Sequence, residues 1–350
     1  MSVVHQVIAG AAPGDAVTMQ ALRLGELLTA WGFENAILAD HVHPAMSGRV
    51  SRLRGAADPR LGAGPLIVRY SIWADSIAAA LATRTPRAIV YHNVTPGSLL
   101  GAANPDVGAL CDIGRAHLPD LTGRADVFIA DSHFNARDLH EVGIERVEVV
   151  PLLLGAIAAP PARLEARAPS ILTVGRIAPN KRIEDVIRIG VALDRTGTPT
   201  PVTIVGAADA FERYRAALDG LVRDLDAAHV RFAGRVSDAE LEAAFAEASV
   251  YCCMSVHEGF CAPLVEAMQH GLPIVARSAG AVPETVGAAG LVLDDDDPYV
   301  FAEAVREVSA NERLRATLHE ASVAQLARFA PDLVADRLRA VLAPVLDGER

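Results

Sequence analysis

Two cations and two carboxylates stand out by type and spacing. Arg176 and Lys181 lie five positions apart in GRIAPNK, directly after the apolar run Ile171–Val174. On a strand-to-helix loop such a pair could clamp a diphosphate. The arginine would act through its planar fork and the lysine as a compact point charge. Lys181 is the single lysine of the chain, against 31 arginines. That composition suits a place where an ammonium in particular is wanted. The plainer reading is a pair of solvated loop charges.

The carboxylates are Glu258 and Glu266, in VYCCMSVHEGFCAPLVEAMQHGLPIVA. Here a strand ends near Met254, a polar loop follows, and a helix starts near Ala262 or Pro263. Proline suits a first helical turn, and the positive end of such a helix attracts phosphate. Carboxylates beside an anion site need a purpose. Accepting hydrogen bonds from the hydroxyls of a ribose and a hexose would supply one. The plainer reading is one capping and one surface glutamate.

These residues need a scaffold of strands ending at a common edge. Short apolar runs recur at Val3–Ala9, Ala36–Ala39, Leu66–Val68, Ala88–Tyr91, Val127–Ala130 and Val147–Val150, with helical patterns at Met19–Trp31, Ser76–Leu81 and Asn135–Val142. The loop after the first run carries Gly10, Gly14 and Asp15 but does not read GxGxxG. A proline-rich stretch, GAIAAPPARLEARAPS, interrupts the alternation at 155–170. Strands and helices then alternate again through Ile274–Ala276. Alternation of this kind implies parallel α/β sheets, whose ligands bind at the carboxyl ends of the strands. The domains expected are 1–155, a linker at 156–169, a second domain at 170–330, and a C-terminal helix at 331–350 packing back towards the first domain.

Composition narrows the classes of function. Hydrophobic residues make up 51% and the net charge is −11, which argues for a globular chain and against a nucleic-acid binder. No apolar run reaches the roughly 18–20 residues of a membrane span. The N-terminus lacks the basic region of a signal peptide, so a cytoplasmic protein is expected. Cys111, Cys252, Cys253 and Cys261 lack metal-ligand spacing and read as buried thiols. Cys252 and Cys253 should point to opposite faces of a strand.

Taken in order, GRIAPNK, EGFCAPLVEA and SAGAVPETVGAAGLVL resemble the C-terminal half of the family 4 retaining glycosyltransferases, over roughly residues 170–310. YHNVTPG at 91–97 and DSHFNARDL at 131–139 resemble a subgroup with a His-Asn-(Ile/Val)-Thr-Pro loop. The resemblance implies a GT-B fold, two doubly wound Rossmann-like domains facing a central cleft. It implies sugar transfer from a nucleotide-diphosphate donor to an acceptor hydroxyl with retention of configuration. The donor would be a UDP-sugar in preference to GDP-mannose, and the setting polysaccharide or glycolipid synthesis. Arg176 and Lys181 match the diphosphate pair, Glu266 the ribose-binding glutamate, and Glu258 the one that contacts the donor sugar. Gly259, Phe260, Cys261 and Ala262 match the backbone lining sugar and phosphate; Cys261 replaces the commoner glycine. Gly234, Arg235 and Val236 match the stretch near the base, and His92 the position facing the donor sugar. Gly14 and Asp15 match the loop approaching phosphate or acceptor.

No cofactor or metal is implied. Asp294–Asp297 reads as a solvated turn before Pro298, and His41 with His43 lack a third ligand. The expected partners are the nucleotide sugar and a carbohydrate or lipid-linked acceptor. Arg49, Arg52, Arg54 and Arg60, in an expected exposed loop, suggest contact with an anionic acceptor, either a lipid diphosphate carrier or the surface of an anionic membrane at its inner face; the plainer reading is a solvated loop with no partner. The rival functions are a pyridoxal-phosphate phosphorylase using Lys181 and a non-catalytic nucleotide-sugar binder.

Overall fold

A computed structural model describes residues 2–157, 160–161 and 168–348. It divides into two compact units. The first holds the residues up to Gly97, Ala109–Ala156, and those from Phe329 on; the second holds Ser98–Gly108 and the described residues from Ile157 to Arg328. Most of the expected linker at 156–169 lies outside the described residues.

The first unit is built on β1 (Val3–Ala11), β2 (Glu34–Val42), β3 (Ser51–Arg52), β4 (Leu66–Tyr70), β5 (Arg87–Tyr91), β6 (Val127–Ala130) and β7 (Glu148–Val149). These form one sheet in the order β3-β2-β1-β4-β5-β6-β7, and the paired strands run parallel. β4 and β5, LIVRY and RAIVY, are buried at every position, as befits central strands covered on both faces. The helices of this part are α1 (Ala16–Ala30), α2 (Asp75–Leu81), α3 (Pro105–Ala116), whose start up to Gly108 counts with the second unit, and α4 (His133–Glu141). Sequence periodicity misses α3, whose Leu110 and Ile113 face solvent and leave no clean apolar stripe.

The second unit contains β8 (Ile171–Val174), β9 (Val202–Val205), β10 (Val230–Gly234), β11 (Val250–Cys253), β12 (Ile274–Arg277) and β13 (Gly290–Leu293). Their order is β10-β9-β8-β11-β12-β13, again with parallel pairing. Its helices are α5 (Ile183–Arg195), α6 (Glu212–Asp224), α7 (Asp238–Glu247), α8 (Ala262–Gln269), α9 (Val282–Val286), α10 (Pro298–Ala310) and α11 (Glu312–Leu326). The strand order reverses beside β8, the place where doubly wound sheets bind ligands.

The last helix, α12 (Pro331–Leu346), belongs to the first unit. Its Val334, Leu338, Leu342, Val345 and Leu346 are buried in one core with Val4, Leu24, Leu28, Ile67, Val90 and Ile129. Two Rossmann-like α/β domains with parallel sheets are thus what the alternating pattern predicts.

The expected exposed loop around Arg49–Arg60 is largely present, with Arg49, Arg52 and Arg54 exposed and Arg60 half-buried, but it is anchored at several points. Met46, Val50, Leu53, Asp58 and Leu61 are buried there. Asp58 accepts from the Arg60 guanidinium at 2.6 and 2.9 Å and from the Arg54 and Arg60 amides, and Arg49 pairs with Glu26 at 3.4 Å. Arg60 is therefore fixed by the buried Asp58 two residues before it, whereas the Arg49–Glu26 pair is exposed on both sides. Among the described residues, no helix is long and apolar enough to cross a membrane.

Candidate active site

The strongest constellation forms where β8 and β11 end. β8 exits through Gly175, which lies against Gly206 at the end of β9. A Cβ on Gly206 would fall 1.9 Å from the Gly175 carbonyl oxygen, and its φ is +144°, so only glycine lets the two loops touch. The chain then makes a 3-10 turn at Pro179–Lys181 before α5. Asn180 ties this turn to the loop after β11: its carbonyl accepts from Val256 N at 2.9 Å, and its amide donates to His257 O at 3.2 Å.

That tie brings together Lys181 and Glu258, 77 positions apart. Lys181 Nζ donates to Glu258 Oε1 at 2.5 Å, and the side chains are 21% and 9% exposed. Burial by itself would lower the lysine pKa. Only in sum do the Glu258 charge and hydrogen bond and the neighbouring Cys261 and Cys253 outweigh burial and raise it above the ordinary lysine value, so Lys181 stands as an ammonium. Glu258 is also held through its backbone. Its carbonyl accepts from Ala281 N at 2.9 Å, and Gly280 packs so closely that a Cβ there would meet Glu258 O at 2.4 Å.

Lys181 and Glu258 line a small cavity with Gly175, Arg176, Thr173, Tyr251, Cys253 and Cys261. Arg176 is exposed at its rim, its guanidinium 5.7 Å from the centre of the Phe211 ring. Cys261 caps α8 with φ +68°, a left-handed conformation. This explains why glycine would sit comfortably there. Gly259, Phe260 and Ala262 follow the same loop into α8, with Phe260 O accepting from Thr285 Oγ1 at 2.7 Å. Arg235, Val236 and Glu266 lie outside the cavity lining. Arg235 pairs with Asp209 at 2.5 Å, both largely exposed. Val236 precedes the Ser237 cap of α7, and Glu266 is half-buried in α8.

The remaining expected residues belong to the first unit. Asp15 is the N-cap of α1, accepting from the Thr18 amide and hydroxyl at 2.8 Å each, and Gly14 beside it has positive φ. His92 follows β5 with its side chain only 5% exposed. Its Nδ1 lies 2.7 Å from Asp131 Oδ2 and its Nε2 3.0 Å from Arg69 Nη1. Arginine can only donate. The proton of a neutral His92 therefore sits on Nδ1, directed at Asp131, and Nε2 accepts. Arg69 is buried, which lowers its pKa to about 10. It is held further by Gln6 Oε1 at 3.0 Å and Gln20 O at 3.1 Å.

Sequence reasoning misses Arg69 and Asp131 as partners of His92. An arginine inside the apolar strand LIVRY was the signal available. It also misses Cys253 as a neighbour of Cys261. In the aspartate run, Asp295 accepts from the Asp296 and Asp297 amides, Asp297 caps α10, and Asp296 pairs with Arg277. Each of these three has a local structural partner.

Comparison with known proteins bears on this geometry. Residues 160–324 match the family described as Glycosyl transferases group 1, a stretch that contains every residue of the β8–β11 constellation. The chain is 31% identical over 232 residues to a D-inositol 3-phosphate glycosyltransferase of Nocardioides, covering 59% of this chain and 50% of that protein. It is 32% identical over 160 residues to a GDP-mannose-dependent alpha-(1-6)-phosphatidylinositol monomannoside mannosyltransferase of Mycolicibacterium smegmatis, covering 43% and 41%. The chain spans between 13% and 50% of the length of the curated relatives it matches. In fold it is similar to sucrose-phosphate synthase of Thermosynechococcus elongatus, with TM-score 0.78, 17% identity and full coverage of both chains. The GT-B fold class expected from the sequence is therefore present, and residues 160–324 carry the group 1 glycosyl transferase pattern.

Proposed function

We propose that the chain transfers a sugar from a nucleoside-diphosphate donor to an acceptor hydroxyl, with retention of configuration and without a metal. The observation that carries this reading is the Lys181–Glu258 contact, held beside Arg176 where the strand order of the second sheet reverses. An ammonium has three donors. One is spent on Glu258, which leaves others for phosphate oxygens. Charge growing on the departing diphosphate would be met by Lys181, Arg176 and the positive end of α8. The donor-contacting set is Arg176, Lys181, Arg235, Val236, Glu258, Gly259, Phe260, Cys261, Ala262 and Glu266. In the first unit, His92 is held in one tautomer by Arg69 and Asp131.

The sequence alone favours a UDP-sugar. The relatives shift the proposal to GDP-mannose, because the Mycolicibacterium smegmatis protein and its Mycobacterium tuberculosis counterpart are both named as GDP-mannose-dependent. Their acceptors by name are phosphatidylinositol mannosides, so a lipid-linked carbohydrate is the acceptor class proposed here. A Schiff-base role for Lys181 would need a lowered pKa, and the Glu258 charge works in the opposite direction.

The test is a thermal-shift panel of GDP, UDP and ADP and their sugars, followed by a transfer assay with and without EDTA. A ligand at 100 times its dissociation constant stabilises by about 2.7 kcal/mol. GDP and GDP-mannose are expected to give the largest shifts, and transfer is expected to survive chelation. Absence of a shift with every nucleotide would overturn the reading. A larger shift with UDP would overturn the donor assignment, and loss of transfer on chelation the metal-free mechanism.

A further inference from the structure

Two of the buried thiols lie in the wall of the candidate donor cavity. Cys253 ends β11, Cys261 caps α8, and their sulfurs are 4.0 Å apart. Both residues are buried, at 3% and 8% exposure. The third buried group within reach is Glu258, whose carboxylate lies with the two sulfurs inside a 4.8 Å cluster. A cation could use such a cluster. Here, however, the Lys181 ammonium already occupies the carboxylate, and a metal would have to displace it. The two sulfurs are held more weakly: they contact each other, and Cys253 Sγ also donates to Ser255 Oγ at 3.6 Å. They need to close by roughly 2 Å to reach the bonded S–S distance, and the seven-residue loop between them is the segment that carries Glu258.

We propose that Cys253 and Cys261 are a modification site, a dithiol that small peroxides convert to an intramolecular disulfide, and that this bond closes the donor cavity. The inference rests on the reading of that cavity as the donor site. The Cys253 thiolate attacks one oxygen of hydrogen peroxide, breaking the O–O bond to give a sulfenic acid and hydroxide. The Cys261 thiolate then attacks the Cys253 sulfur, forming S–S and expelling the sulfenic hydroxyl as hydroxide. The two thiol protons neutralise the two hydroxides, so two thiols and one peroxide give a disulfide and two waters. Both electrons come from the cysteines.

Two features support the order of attack. The hydrogen bond from Cys261 holds the Cys253 thiol below the usual cysteine range, while that same bond and burial push Cys261 up. The pair therefore shares its proton unevenly, with Cys253 as the nucleophile. Burial also selects the oxidant, because a cavity this small admits a peroxide more readily than a bulky disulfide. The neighbouring Cys252 differs. It faces the core formed with Ile171, Val186 and Val275, and burial raises its pKa.

The experiment treats the full chain with hydrogen peroxide, then digests it without reduction using a protease that cuts after glutamate. Glu258 lies between the two cysteines, so the fragments on either side stay linked only if the disulfide has formed. The expected result is a linked pair, an intact mass lower by two hydrogens, and a nucleoside-diphosphate affinity lower by at least about tenfold, all reversed by dithiothreitol. Cys252→Ser should still form the link. Cys261→Gly, which suits the positive φ, should not form it and should keep its own nucleotide affinity after peroxide. Unlinked fragments, or a link through Cys252, would overturn the site. A link with undiminished affinity would overturn the closure. If the reduced protein binds no nucleotide while the link forms, the donor-site reading fails and the dithiol stands.

Discussion

At the residue scale the Lys181–Glu258 pair decides what each substitution reports. Lys181→Ala removes a proposed phosphate contact and also leaves the Glu258 carboxylate buried without its cation. One-sided removal from a fully buried pair costs about 3–5 kcal/mol. Lys181 is 21% exposed, so a loss nearer roughly 2 kcal/mol is expected, together with at least a tenfold fall in turnover. Adding Glu258→Gln should recover much of the stability and none of the turnover. Thermal denaturation beside single-turnover kinetics separates the two, and recovery of turnover in the double variant would contradict the phosphate role. The two glutamates should also divide. Glu266→Gln is expected to weaken binding of the bare nucleoside diphosphate, and Glu258→Gln to impair sugar transfer more than nucleotide binding. Calorimetry with the nucleotide alone tests this, equal losses being the contrary result.

At the scale of elements, the sequence shows more of the sheets than of what ties them together. Apolar runs mark the strands because parallel strands are buried on both faces, so β4, β5, β8, β9, β11 and β12 are legible. Arg176, Lys181 and Glu258, which the structure gathers around one cavity, stand out in the sequence by type and motif resemblance; Glu266, expected with them, lies outside the lining. The Asn180 tie, the Gly280 contact and the Arg69–His92–Asp131 chain are not legible. Each depends on backbone or side-chain groups that meet only after the sheet has formed. The Arg49–Arg60 segment shows the cost of reading charge without partners. Its Asp58 is buried, and the Arg60 guanidinium holds its carboxyl well below the usual carboxylate range, assisted by the Arg54 and Arg60 amides. A depressed folded pKa means that this stabilisation is complete above the unfolded value of about 4. It declines as pH falls below that value and is exhausted only below the folded pKa. Asp58→Asn is expected to cost roughly 1–3 kcal/mol at neutral pH and much less in acid. Urea denaturation at the two pH values checks it; an equal cost at both would show that the charge is irrelevant.

At the scale of the whole molecule, chain order and fold order disagree. Apart from the short excursion Ser98–Gly108, which belongs to the second unit, the chain leaves the first unit near Ala156, builds the second, and returns at Phe329 to complete the first. The returning helix is no ornament to that unit. Five of its apolar side chains are buried among residues of β1, β4, β5, β6 and α1. At about 1.5–3 kcal/mol for each fully buried aliphatic side chain, their removal forfeits an amount comparable with the 5–15 kcal/mol that holds a typical domain together. A fragment ending at residue 156 should therefore fail to fold cooperatively, even though it contains every strand of its sheet. The same fragment fused through a flexible linker to residues 329–350 should recover a cooperative transition, because the missing core is restored without the second unit. Circular dichroism melting of the two fragments distinguishes the cases. Cooperative melting of the shorter fragment would show that α12 contributes little, and failure of the fused one would show that the first unit cannot fold without the second.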